Sequence, residues 1–150
     1  MARVTSLTWG VKQSFRGYVE MTGGVTEAAQ GATRDADGAF IFPATAESTL
    51  ELAADGALTG RGVFQGEVKF DSHGGMLKVF LADPILEVTE AGATLTVADS
   101  PKRNFRIEVV KLDLAAAGPD GIPTKLSVDG VYLLGAHYPL NTAVDPVKLA

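Results

Sequence analysis

Only one stretch of this sequence repeats apolar residues at helical spacing, and it lies at the N-terminus. Leu7, Val11, Phe15 and Tyr18 follow at intervals of four, four and three, which aligns one face of a helix. Thr5, Ser6 and Thr8 are available as caps before it. At about 100° per residue, Ser14 falls at the edge of that face beside Tyr18, whereas Trp9, Lys12 and Arg16 fall on the other side. Gly10 and Gly17 lower the helix propensity, so the spacing predicts a single short helix. The rest of the chain must then be built from strands and turns.

The remaining sequence has that grammar. Asp35-Ala36-Asp37-Gly38 is turn chemistry ahead of the apolar Ala39-Phe40-Ile41-Phe42 and Pro43. Thr49 to Leu52 is a short candidate strand, and Glu67-Val68-Lys69-Phe70 alternates in character. Leu77, Val79 and Leu81 alternate with Lys78, Phe80 and Ala82. Ile85 to Val88 and Ala93 to Val97 flank a turn at Glu90-Ala91-Gly92. From Phe105 to Leu114 the apolar face changes from Phe105, Ile107 and Val109 to Val110, Leu112 and Leu114, which predicts a bulge at Val109-Val110. Asp129-Gly130 predicts a two-residue hairpin between Lys125–Val128 and Val131–Leu134. The tail from Ala136 carries Pro139 and Pro146 and reads as an extended cover. The expected fold is mainly β: an antiparallel sandwich or barrel of many short strands with one short N-terminal helix.

A chain of 150 residues fits one domain, residues 1–150. It contains no cysteine, which excludes disulfides, zinc–thiolate sites, iron–sulfur clusters and a cysteine nucleophile. A formal net charge of −5 repels phosphate backbones and argues against nucleic acid as a partner. No run approaches the ~20 apolar residues of a membrane-spanning helix. The first residues do not resemble a signal peptide. That start favours a cytoplasmic protein over an excised domain of a secreted one.

Two histidines, His73 and His137, and three tyrosines, Tyr18, Tyr132 and Tyr138, narrow the search for chemistry. His73 ends an alternating strand beside Gly74 and Gly75, a place suited to lining a pocket. Tyr18 lies on the apolar helix face with Ser14 one turn earlier. On residue type alone the plainer readings come first: a surface histidine in a hairpin turn, and a core tyrosine whose hydroxyl meets a backbone partner. His137 and Tyr138 read as capping the fold. Asp35-Ala36-Asp37-Gly38 fails as a calcium loop, because its glycine comes too early and Ala46 stands where the closing carboxylate belongs. No phosphate loop and no nucleophile elbow occur.

Three motifs together resemble one family. Trp9-Gly10-Val11-Lys12 leading into Ser14-Phe15-Arg16-Gly17-Tyr18 is similar to the opening signature of HtaA domains. Gly66-Glu67-Val68-Lys69-Phe70, then His73, Gly74 and Leu77, with Ala82-Asp83-Pro84 following, resembles the second. Tyr138-Pro139-Leu140-Asn141-Thr142 with Asp145-Pro146 is similar to the closing one. The resemblance spans essentially the whole chain. It departs at Ser72, where glycine or alanine is usual, and at Asn141, where the family has glycine.

The resemblance implies a β-rich module that binds ferric, b-type haem in bacterial haem uptake. It implies Tyr18 as the iron ligand, His73 as the hydrogen-bond partner of that tyrosine, and Ser14 near a propionate or the ligand oxygen. Arg16, Lys12 and Arg61 are candidate propionate partners. A phenolate suits hard ferric iron, and a histidine N–H would orient it. The expected partners are haem or another flat apolar small molecule, and a homodimer is compatible with the sequence. An alternative is an enzyme on the same scaffold, with Tyr18 and His73 as an acid/base pair acting on a flat aromatic or polycyclic substrate. A small interaction domain is the third reading.

Overall fold

A computed structural model describes residues 2–150. Strands β1 (Ala2–Arg3) and β2 (Ser6–Trp9) precede helix α1 (Gln13–Met21). Then come β3 (Val25–Ala29), β4 (Thr33–Arg34), β5 (Phe40–Pro43), β6 (Glu51–Leu52), β7 (Leu58–Thr59), β8 (Arg61–Val63) and β9 (Glu67–Ser72). A 3-10 turn at His73–Gly75 leads into β10 (Leu77–Thr89), β11 (Gly92–Ala98) and β12 (Arg106–Leu112). After a second such turn, Leu114–Ala116, the chain forms β13 (Ile122–Leu126), helix α2 (Val128–Leu133) and β14 (Ala143–Leu149).

All pairings between these strands are antiparallel. The main sheet runs β3-β9-β10-β11-β12-β13-β14-β2-β5-β4, with β8 also paired to β10. Its two edge strands, β3 and β4, are consecutive in the chain and joined by the turn at residues 30–32. The sheet therefore curls into a nearly closed barrel, a form that removes most exposed edges. A small sheet, β1-β6-β7, lies beside it. The mainly-β expectation is met, as a barrel.

The barrel is filled from alternating positions. Leu7, Trp9, Phe40, Phe42, Val68, Phe70, Leu81, Leu95 and Val110 are all essentially inaccessible. The Phe70 ring takes Phe15 at 5.1 Å and Phe40 at 5.8 Å, both edge-to-face at 83°. Each such pair contributes about 0.5–1.5 kcal/mol beyond area burial.

Three local expectations need correction. The N-terminal helix begins at Gln13 rather than near Leu7. Leu7 and Trp9 belong to β2 and point into the barrel, and Val11, at φ 67, makes the corner between strand and helix. Trp9 and Arg16, which helical spacing puts on the side away from the apolar face, are accordingly both buried. Asp129-Gly130 is not a hairpin; it lies inside α2. The tail forms a true strand, β14, between β13 and β2.

Elsewhere the pattern holds or is extended. Residues 77–89 form one strand, not two; it pairs with β9 through Leu77–Ala82 and with β8 through Ile85–Glu87, with an irregularity around Asp83-Pro84. Val109 is the extra residue of a bulge, since Glu108 faces Thr96 and Val110 faces Leu95. Both valines are buried.

Helix α2 explains why its glycine is needed. Ser127 enters with extended backbone, and Asp129 sits in the first turn, where a negative charge suits the helix dipole. Gly130 presses against β12, so that an added Cβ would overlap the Val109 carbonyl oxygen. Gly130→Ala is therefore expected to destabilise the fold by about 2 kcal/mol despite the better helix propensity of alanine. Urea denaturation checks this; an unchanged midpoint would mean that α2 is free to lift away from the barrel.

Candidate functional site

Helix α1 is held from the far end of the chain. Arg16 Nη1 donates to Asp145 Oδ2 and to the Gly10 carbonyl, both at 2.6 Å. Asp145 Oδ1 accepts the backbone N–H of Gln13 at 2.9 Å, satisfying an N–H that the first turn leaves free. The Asp145 carbonyl accepts the Trp9 indole N–H at 2.9 Å and the Thr124 hydroxyl at 2.8 Å. One residue of β14 thus fixes β2, α1 and β13 together.

The other end of α1 is fastened to the last residue of β9. The Thr22 hydroxyl bonds the Tyr18 carbonyl at 3.0 Å and lies 2.5 Å from the Ser72 hydroxyl. Ser72 is buried. Its departure from the usual small residue therefore supplies a link between the helix and the strand end. Gly24 lets the chain turn close beneath: a Cβ there would stand 2.6 Å from the Asp71 carbonyl oxygen. The other departure is also accounted for. Asn141 has φ 65, and asparagine is one of the few non-glycine residues that adopt this region readily.

His73, Gly74 and Gly75 have φ 54, 65 and 91. For the histidine this conformation costs on the order of 1 kcal/mol. It turns the imidazole towards α1, where Nε2 lies 2.6 Å from the Tyr18 hydroxyl. The ring centroids are 5.6 Å apart. Tyr18 is 44% exposed, so it is not a core tyrosine with a backbone partner. The bond can run in either direction: a phenol donates to a neutral imidazole, and an imidazole N–H donates to a phenolate.

Beside this pair opens a cleft of about 990 Å³. His73, Gly74 and Gly75 form one lip, and Tyr132 and Leu133 of α2 contribute to its wall. Tyr18 is not itself a lining residue; it is joined to the cleft through its hydrogen bond to His73. At the far end, Pro101 belongs to a loop pinned by Arg103. Arg103 donates to Asp83 and Glu67, each at 2.7 Å, and these bonds raise its guanidinium above the ordinary value.

The sequence-derived candidates divide clearly. Tyr18 and His73 come together. Ser14 is exposed on α1, one turn before Tyr18. Arg16 does not line the cleft; its guanidinium is occupied by Asp145 and Gly10. Lys12 lies over the Tyr138 ring, and Arg61 pairs with Glu87. Sequence reasoning missed Tyr132 and Leu133, because α2 was read as a hairpin; Ser127 before an acidic first turn was the available signal.

The sequence model of the HtaA family (Htaa) matches residues 4–150. The chain belongs to the HtaA family. Its fold is similar to the crystal structure of the C-terminal domain of HtaA from Corynebacterium glutamicum, with TM-score 0.78 and 23% identity over 99% of this chain and 95% of that one. The N-terminal domain of the same HtaA aligns with TM-score 0.76 and 22% identity, covering 100% and 98%. The heme binding protein HtaB from C. glutamicum aligns with TM-score 0.70 and 19% identity, covering 97% and 91%. At these identities the solved structures speak for the HtaA fold alone. No curated protein matches this chain.

Proposed function

We propose that this HtaA domain binds ferric, b-type haem, with Tyr18 as the iron ligand and His73 as the partner of the ligating oxygen. The observation that carries the reading is the 2.6 Å contact between an exposed phenol and an imidazole at the rim of a large cleft. Family membership and the heme binding named for HtaB support it.

The donor set suits such a group. A single phenolate oxygen matches a hard ferric centre. Among the described residues no cluster of three or more histidine, aspartate or glutamate side chains could hold a bare metal ion, so iron here would have to bring most of its own ligands. The cleft is at the upper end of the ~300–1,000 Å³ of small-molecule pockets. Without cysteine no thioether attachment is available, which leaves non-covalent, b-type binding. Bound ferric haem supplies the positive metal centre that favours the ionised phenol. His73 accepts the phenolic proton at Nε2 and then donates the N–H back to the phenolate, fixing its direction. Held by one protein ligand at an exposed rim, such a cofactor is suited to capture and hand-over.

Titration of the protein with hemin tests this. Saturation at one haem per chain with a high-spin, phenolate-type visible spectrum is expected. His73→Ala should keep that spectrum and lose about tenfold in affinity, as for removal of a residue that orients a metal ligand. Binding no tighter than to an unrelated β protein would end the reading.

A further inference from the structure

We propose that Lys78 selects carboxylate-bearing ligands, reading a propionate of the porphyrin at the lip formed by Gly74 and Gly75; this rests on the haem reading above. A flat apolar ligand that carries ionised carboxylates gains from a cation where they meet the protein, because a carboxylate that loses part of its hydration there is compensated only by pairing.

The cations of the chain are mostly committed elsewhere. Arg16 holds Asp145, Arg61 holds Glu87, and Arg103 holds Asp83 and Glu67. Lys12 covers Tyr138. Of the two lysines lining the cleft, Lys69 reaches Glu67 at 4.0 Å and lies over Phe80. Lys78 is the other, and among the described residues it makes no ion pair, not even with Asp71, its neighbour across the β9–β10 ladder.

Its direction is also informative. A Cβ on Gly75 would stand 3.2 Å from Lys78 Cε and 3.7 Å from Nζ. The lysine stem therefore lies over the glycine loop that carries His73. The glycine, at φ 91, lets the stem lie this close without displacement. The remaining charged lining groups, Glu27, Asp71 and Asp99, are acidic. They repel carboxylates, Asp71 beside Lys78 included, so a carboxylate is favoured only where it meets the lysine ammonium directly. The same arrangement ranks ligands: a dicarboxylate porphyrin is preferred over an uncharged one of the same shape.

The experiment compares hemin with hemin dimethyl ester, in the same detergent, on wild type, Lys78→Met and Lys78→Arg. Lys78 is on the surface, so the variants keep the fold. Wild type is expected to prefer the free acid by about fivefold at low ionic strength, and the preference should shrink as salt is added. Lys78→Met should lose the preference while binding the diester as wild type does, and Lys78→Arg should restore it. An unchanged preference in Lys78→Met, with the phenolate-type spectrum intact, overturns the assignment and leaves the haem reading standing. Failure of wild type to take up either compound overturns both.

Discussion

Tyr18→Phe is expected to abolish the phenolate-type spectrum of the hemin complex and to weaken binding by at least ~100-fold. Removing a residue that merely orients a metal ligand already costs about 10–100-fold, and this change removes the proposed ligand itself. The phenyl ring remains, so apolar contact is conserved and the hydroxyl alone is tested. Because Tyr18 is 44% exposed, the fold should lose under ~1 kcal/mol. The substitution also frees His73 Nε2 from its 2.6 Å partner. An imidazole-type spectrum in Tyr18→Phe, lost again in the double variant with His73→Ala, would show the histidine taking over as ligand. A spectrum identical to wild type would remove Tyr18 from the site.

The largest loss of stability is expected at Asp145, far from the cleft. Arg16 is a buried cation, its side chain 10% exposed, against 25% for Asp145. Asp145→Ala would leave that guanidinium without its counter-charge and the Gln13 N–H without its acceptor. Breaking such a pair costs ~3–5 kcal/mol, and the partial exposure of the carboxylate places this one near 3. Asp145→Asn keeps an oxygen for Gln13 and should lose about half as much. Urea denaturation reads both. A loss under ~1 kcal/mol for the alanine variant would mean that water solvates Arg16 and that α1 is anchored by packing alone.

The difference between what the sequence disclosed and what it hid follows from the range of the interactions. Alternation from Glu67 to Phe70, the turn before Gly92 and the phase change at Val109 are local signals, and all three appear in the structure. The pattern Leu7, Val11, Phe15 mixed a strand residue, a corner residue and a helix residue that happened to fall four apart. Asp129-Gly130 carries the strongest short-range hairpin signal. It was overruled because its glycine is needed for close approach to the Val109 carbonyl, a contact between residues distant in sequence. The same holds at the site. Tyr18 and His73 were legible as a pair only through family motifs. Arg16, read as a residue of the ligand site, is spent on Asp145 instead. The free lysine at the lip depends on a loop conformation that no periodicity reveals.

The place of β14 between β13 and β2 has a consequence for how the molecule is made. Residues 143–149 are the last strand of the domain to leave the ribosome, yet they join its earliest long strand to its latest hairpin partner. Until they arrive, β2 and β13 each lack a neighbour and α1 lacks the carboxylate that seats it. Barrel closure is thus deferred to the end of synthesis, and pairing across such separations is slow, on the order of milliseconds to seconds. The helix bearing Tyr18 likewise gains its Asp145 contacts only when the C-terminal strand has docked.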